Sequence, residues 1–166
     1  QHHFWHWKPN MLFFFLFGCG FYFGFGHAFV HECGTPLENT SNLPNLRVGV
    51  YLQVGNFSVW PDMLECLTYV VQAQGSNHLG VHISFVENLG INEKQRSEVE
   101  ANIRSLVSDV HVLFLENQGA DIGQFLMQLS QSEKEGVNYD VLLKIHSKTN
   151  PEWRKLGLSS MCGSML

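Results

Sequence analysis

From position 46 onward the chain alternates short, continuous apolar runs with longer stretches in which apolar residues recur every three or four positions. Residues 46–54 (LRVGVYLQV), 79–86 (LGVHISFV), 109–115 (DVHVLFL) and 139–145 (YDVLLKI) have the length and composition of strands. Between them, Met63, Leu64, Leu67, Val70 and Val71 make one helical stripe. Val99, Ile103, Leu106 and Val107 make a second, and Ile122, Phe125, Leu126 and Leu129 a third. Pro61 suits a first helical turn, where its missing N–H has no partner to lose. Gly75-Ser76-Asn77 ends this first helix, Asn92 and Asp121 are placed to cap the second and third, and Gly136-Val137-Asn138 closes the third. Strands separated by helices predict a parallel sheet with right-handed crossovers, and continuous apolar strands suit a sheet covered on both faces. The expected fold class is α/β: a three-layer, Rossmann-like parallel sheet of about four strands.

Composition adds a leader to this picture. Of 166 residues, 45 % are hydrophobic and 15 % charged, with a net charge of −5, which excludes a disordered acidic tail or a basic nucleic-acid-binding arm. Residues 1–31 hold nine of the thirteen Phe and five of the nine His but a single formal charge, Lys8. Residues 11–30 contain no Asp, Glu, Lys or Arg, and as a helix they would span about 30 Å, the thickness of a hydrocarbon core. The run reads as a membrane anchor or signal core, as an artefact or fragment end, or as a buried soluble element. As an anchor, with Lys8 ahead and Glu32 and Glu38 behind, it would put the domain on the luminal or outer side. The domain is otherwise expected in the cytoplasm. The organisation is therefore a leader at 1–33, a turn-rich linker at 34–45, an α/β domain at 46–157 and a short tail at 158–166.

Two apparent motifs in the leader carry little. Gly18, Gly20 and Gly24 have the wrong spacing for a dinucleotide loop, and His2, His3 and His6 sit in an aromatic terminus. Cys19, Cys33, Cys66 and Cys162 form no C-x-x-C pair and read as buried apolar thiols. Asn39-Thr40-Ser41 and Asn56-Phe57-Ser58 fit the glycosylation triplet, which has meaning only in a secreted or luminal domain.

In an open α/β sheet, ligands bind beyond the carboxyl ends of the strands. The loop after the last predicted strand is the most unusual by charge: Lys144, Lys148, Arg154 and Lys155 lie within twelve positions, with Glu152 the only acid. Period-two alternation turns Lys144, His146 and Lys148 to one side. Lysine as a point charge and arginine as a fork suit a diphosphate; a solvated basic segment is the bland alternative. In the preceding turn, Gly119 permits close approach of a ligand. Asp121 either caps the helix or faces a ligand, and Asn117 either bonds a sugar or base or closes an Asx turn.

The stretch LENQGADIGQFLMQL, followed by YDVLLKIHSKTNPEWRKL, resembles the rhamnan synthesis protein F family. The matching positions are Asn117, Gly119, Asp121, Ile122, Gly123, Tyr139, Asp140, Lys144, Ile145, His146, Ser147, Lys148, Trp153 and Arg154. The similarity covers about residues 46–157 and is most specific in the last third. Gln53, Gln118, Ala120 and Gln124 depart from the family pattern, each removing a candidate contact. The resemblance implies the nucleotide-sugar-binding half of a GT-A-type glycosyltransferase associated with surface polysaccharide assembly. Where many such enzymes carry a metal-binding Asp-x-Asp, this chain has Lys144-Ile145-His146-Ser147-Lys148, and ammonium groups repel a divalent cation. The expectation is thus a metal-independent site without a cofactor. In it Lys144, His146, Lys148 and Arg154 neutralise the diphosphate, Asn117 and Gly119 contact the donor, and Asp121 orients the sugar or acts as base. The partners are a nucleotide-sugar donor and a glycan acceptor. Because an acceptor half is expected beyond Arg154, the chain reads as an incomplete enzyme or as a binding module without turnover. A receiver-type domain is disfavoured, since Gln53 and Val54 supply no acidic cluster at the first strand end.

Overall fold

The computed structural model describes residues 12–14, 45–73, 78–87, 90–116, 118 and 120–162. Its elements in chain order are β1 (Leu12–Phe14), β2 (Arg47–Val54), α1 (Trp60–Ala73), β3 (His78–Val86), α2 (Glu93–Leu106), β4 (Asp109–Leu115), α3 (Ala120–Lys134), β5 (Val141–His146) and α4 (Pro151–Cys162). All strand pairs are parallel, in the spatial order β1-β5-β2-β3-β4. The expected α/β class and its four longer strands are present.

One face of the sheet is apolar. Val50, Leu52, Val54, Leu79, Val81, Ile83, Phe85 and Ile145 pack there against Met63, Cys66 and Leu67 of α1, Val99 and Ile103 of α2, and Leu158 of α4. Each buried aliphatic side chain contributes about 1.5–3 kcal/mol relative to exposure, so this layer is the main source of cohesion. The entry to α2 is fixed as its sequence foretells. Asn92 Oδ1 accepts from Gln95 N–H at 2.9 Å, and Gln95 Oε1 accepts from Asn92 N–H at 3.0 Å, a reciprocal capping box.

The other face, under α3, is polar. Its cross-strand row runs Lys144–Tyr51–His82–His111, and the next runs His146–Gln53–Ser84–Leu113. This overturns the apolar stripe predicted for α3: Ile122 and Leu126 are 48 % and 49 % exposed, while Gln124, Gln128 and Ser132 are buried. A sheet surface with hydrogen-bonding groups selects the helix face that can bond to it. Gln128 Nε2 donates to the carbonyls of Leu52 and His82, both at 3.0 Å. Phe125 remains buried as predicted, against the edge of the Tyr51 ring.

Tyr139, expected within the last strand, precedes it. Its ring lies over β2 and β3 at two glycines: a Cβ on Gly49 would meet its Cδ2 at 2.5 Å, and one on Gly80 its Cζ at 2.8 Å. Asp140 then clamps the start of β2, donating its N–H to Arg47 O at 2.8 Å and accepting from Arg47 N–H at 2.8 Å. α3 begins at Ala120, so Asp121 is second in its first turn rather than at the cap.

Three residues of the apolar leader, Leu12–Phe14, form β1 beside β5. The rest of the leader, with Cys19 and Cys33, and the 34–44 part of the linker lie outside the described residues. Among the described residues no helix is long and apolar enough to cross a membrane. Cys66, expected as a free thiol, is disulfide-bonded. Spacing along a chain does not reveal a pairing made only by the fold.

Overpacking a well-filled site costs about 1–3 kcal/mol, and Gly80→Ala should lower stability by that amount in urea unfolding. In a Tyr139→Leu background, which removes the hydroxyl and ring edge, the same substitution should cost much less.

Candidate functional site

The chain lays down β2, then β3 and β4 on one side of it, and returns to place β5 on the other. The order therefore reverses between β2 and β5. At such a point the two following loops diverge and open a crevice at the carboxyl end of the sheet. The loops are joined at its base: Gly55 N–H donates to Ser147 Oγ at 2.9 Å, and Ser147 N–H donates to Gln53 O at 3.0 Å.

Around this junction the predicted residues separate into two groups. Lys144 and His146 lie on the α3 side of β5, opposite Tyr51 and Gln53, as period-two alternation requires. Lys144 Nζ is 6.0 Å from the centre of the Phe125 ring, within range of a cation–π contact. Lys148 is exposed just beyond the strand. Arg154 belongs to the opposite, α1 side. Its Nε donates to Asp62 Oδ2 at 2.6 Å, and its Nη1 donates to the carbonyls of Lys148 at 3.0 Å and Thr149 at 3.4 Å. Its guanidinium thus ties the loop after β5 to α1. This makes Arg154 a positioning residue for the loop that carries Lys148. Asn150 starts α4, its Oδ1 accepting from Trp153 N–H at 3.1 Å, and the Trp153 indole is 59 % exposed.

Asp121 lies in the first turn of α3, while Asn117 and Gly119 fall outside the described residues. Gly123 is required by the same turn, because a Cβ there would meet the Gln118 carbonyl oxygen at 2.5 Å. Two residues read from sequence as lost contacts instead bring polar groups to this end of the sheet. Among the described residues, Gln124 Oε1 and Gln53 Oε1 are buried and meet no hydrogen-bond donor. Gln124 is fully enclosed, and an unsatisfied buried acceptor costs about 1–3 kcal/mol until a donor reaches it. No sequence signal separates such a glutamine from a surface one.

Beneath α3, toward the amino ends of the strands, lies a network that the sequence did not announce. The Tyr51, His82 and His111 rings stack in succession, with centroids 4.8 and 4.4 Å apart. Tyr51 donates to Ser132 Oγ at 3.0 Å, and Ser132 donates to Gln128 O at 3.0 Å. His82 then donates from Nδ1 to Ser132 Oγ at 3.2 Å and accepts at Nε2 from the Tyr139 hydroxyl at 2.8 Å, one tautomer satisfying every bond. At the rim, Asp109 bridges His78 and His111 at 3.0 Å each, and Glu135 meets the other nitrogen of His111 at 3.0 Å. Burial pushes the pKa of His82 down to about 4, with His111 adding to the shift and Glu135 and Asp109 opposing it. Burial likewise raises the phenol of Tyr51 to about 12 and that of Tyr139 further still. All three are neutral at physiological pH. Among the described residues no group of three or more His, Cys, Asp or Glu is arranged to hold a metal ion.

No family model matches the chain, and neither a curated protein nor a solved structure matches it.

Because His82 binds its proton more weakly folded than unfolded, its contribution to stability is complete above about pH 6.5 and lost as pH falls through about 4. The loss should reach on the order of 3 kcal/mol. Urea unfolding between neutral pH and about pH 4 checks this, and His82→Gln should flatten the decline.

Proposed function

We propose that the chain is a glycosyltransferase-like domain that binds the pyrophosphate of a nucleotide-activated sugar between the β2 and β5 loops, in the service of glycan or polysaccharide synthesis. The observation that carries this reading is the reversal of strand order beside a basic loop. An α/β sheet offers its ligand crevice there, and Lys148 with Lys144 and His146 gives that end of β5 the charge a diphosphate needs. Arg154 contributes by fixing the backbone at Lys148 and Thr149. Asp121 in the first turn of α3, with Asn117 and Gly119 just ahead of it in sequence, would meet the sugar. Fixed cations would take the place that a divalent metal holds in related chemistry, stabilising the leaving diphosphate as charge develops on it. The sugar acceptor would be a glycan.

A non-catalytic module that holds the donor without transferring it is the second reading. It is favoured by the pairing of Arg154 with Asp62, which leaves fewer cations to stabilise a leaving group.

Calorimetric titration of the folded protein with UDP-, GDP- and dTDP-sugars, without added metal, tests both. One donor should bind, and Lys148→Ala should weaken it by roughly tenfold, the effect of about 1.4 kcal/mol. Binding accompanied by glycan transfer supports the enzyme, and binding alone supports the module. Absence of binding to all three donors overturns the proposal.

A further inference from the structure

The loop between β2 and α1 carries Asn56-Phe57-Ser58, one of two triplets in the chain that match the acceptor for asparagine-linked glycans. A triplet alone is a common accident of sequence; its placement in a fold decides whether a glycan fits. Asn56 is half-exposed and Ser58 is exposed. Asn56 has extended backbone, φ −143° and ψ 115°, and precedes the short 3-10 turn Phe57–Val59 that leads into α1. Its Oδ1 accepts from the Ser58 backbone N–H at 2.9 Å. Among the described residues this is the hydrogen bond its side chain makes. The oxygen therefore does the structural work, and the nitrogen, the atom that would carry a glycan, takes no part in it. Substitution at Nδ2 leaves the Oδ1 bond intact.

A second, independent observation concerns the compartment. Cys66, buried on α1 a few turns beyond this loop, is disulfide-bonded. Structural disulfides persist in secretory and extracellular environments and are rare where cellular thiols are kept reduced. Those are also the environments in which asparagine-linked glycans are added.

We propose that Asn56 is an acceptor for an asparagine-linked glycan and that this domain matures in an oxidising, glycosylating compartment. In the transfer, Nδ2 attacks the anomeric carbon of an oligosaccharide carried on a lipid pyrophosphate. The N–C bond forms, the bond from that carbon to the pyrophosphate oxygen breaks, and Nδ2 gives up one proton. The lipid pyrophosphate leaves with the electron pair. The glycan would project from the side of the crevice that leads into α1, away from Lys144 and His146 on the α3 side of β5. The inference is independent of what the crevice binds.

The test is expression of the full chain in cultured eukaryotic cells, followed by treatment with an amidase specific for asparagine-linked glycans and by intact-mass measurement. In an Asn39→Gln background, which removes the other triplet, the chain should carry one glycan that the amidase releases. Ser58→Ala should abolish it while retaining the backbone N–H that bonds Asn56 Oδ1, so that misfolding does not explain the loss. Ser58→Thr should restore it. Alkylation of the denatured but unreduced protein should leave Cys66 unlabelled, and labelling should appear after reduction. A chain without amidase-sensitive mass, a glycan that survives Ser58→Ala, or a Cys66 thiol labelled before reduction would each overturn the proposal.

Discussion

The contact on which the rest of the molecule depends is the hydrogen-bonded layer between α3 and the sheet. The opposite face is closed by aliphatic packing, which is tolerant of detail, since a stripe of Leu, Ile and Val finds a satisfactory arrangement in many ways. The α3 face has no such freedom. Gln128, Ser132, His82, Tyr51 and Tyr139 must each meet a particular partner, and a missed bond leaves a polar group stranded in low dielectric. That requirement fixes the height and rotation of α3, and with it the position of the helix start that carries Asp121. A polar layer costs stability relative to hydrocarbon but specifies one arrangement. Here the arrangement specified is the geometry beside the crevice.

What was legible in the sequence follows the same division. The strands packed against α1 and α2 could be read directly because apolar continuity is a local property, and the Asn92 cap could be read because its partner, Gln95, is three residues away. The helix facing the polar side was placed with the wrong rotation. Ile122 and Leu126 look like core residues until the surface beneath them is known to be Tyr51, His82 and Ser84. Tyr139 was read as part of a strand because nothing nearby reveals that Gly49 and Gly80 are the floor for its ring.

The candidate site divides likewise. The cluster of Lys144, Lys148 and Arg154 was visible from charge density alone, and alternation correctly turned Lys144 and His146 to one side. The role of Arg154 was not visible, because its partner Asp62 lies 92 positions away and on another helix. Gln53 and Gln124 were read as losses relative to a family pattern, whereas the fold brings both to the carboxyl end of the sheet as buried acceptors. Residue type conveys what a side chain can do; only the fold conveys whether that capacity is already used.

One feature of the architecture bears on how copies of this protein behave toward one another. β4 ends the sheet, and among the described residues no strand pairs with its outer side. An open parallel border of this kind invites a neighbouring chain to add itself. The border is guarded at both ends. Asp109 holds a negative charge at its start between two histidines, and near its finish the Arg96 guanidinium lies 5.4 Å from the Phe114 ring, screening the most exposed aromatic of the strand. Pairing along this rim is therefore opposed by a few ionic groups, and loss of their charge would favour the addition of a neighbouring strand.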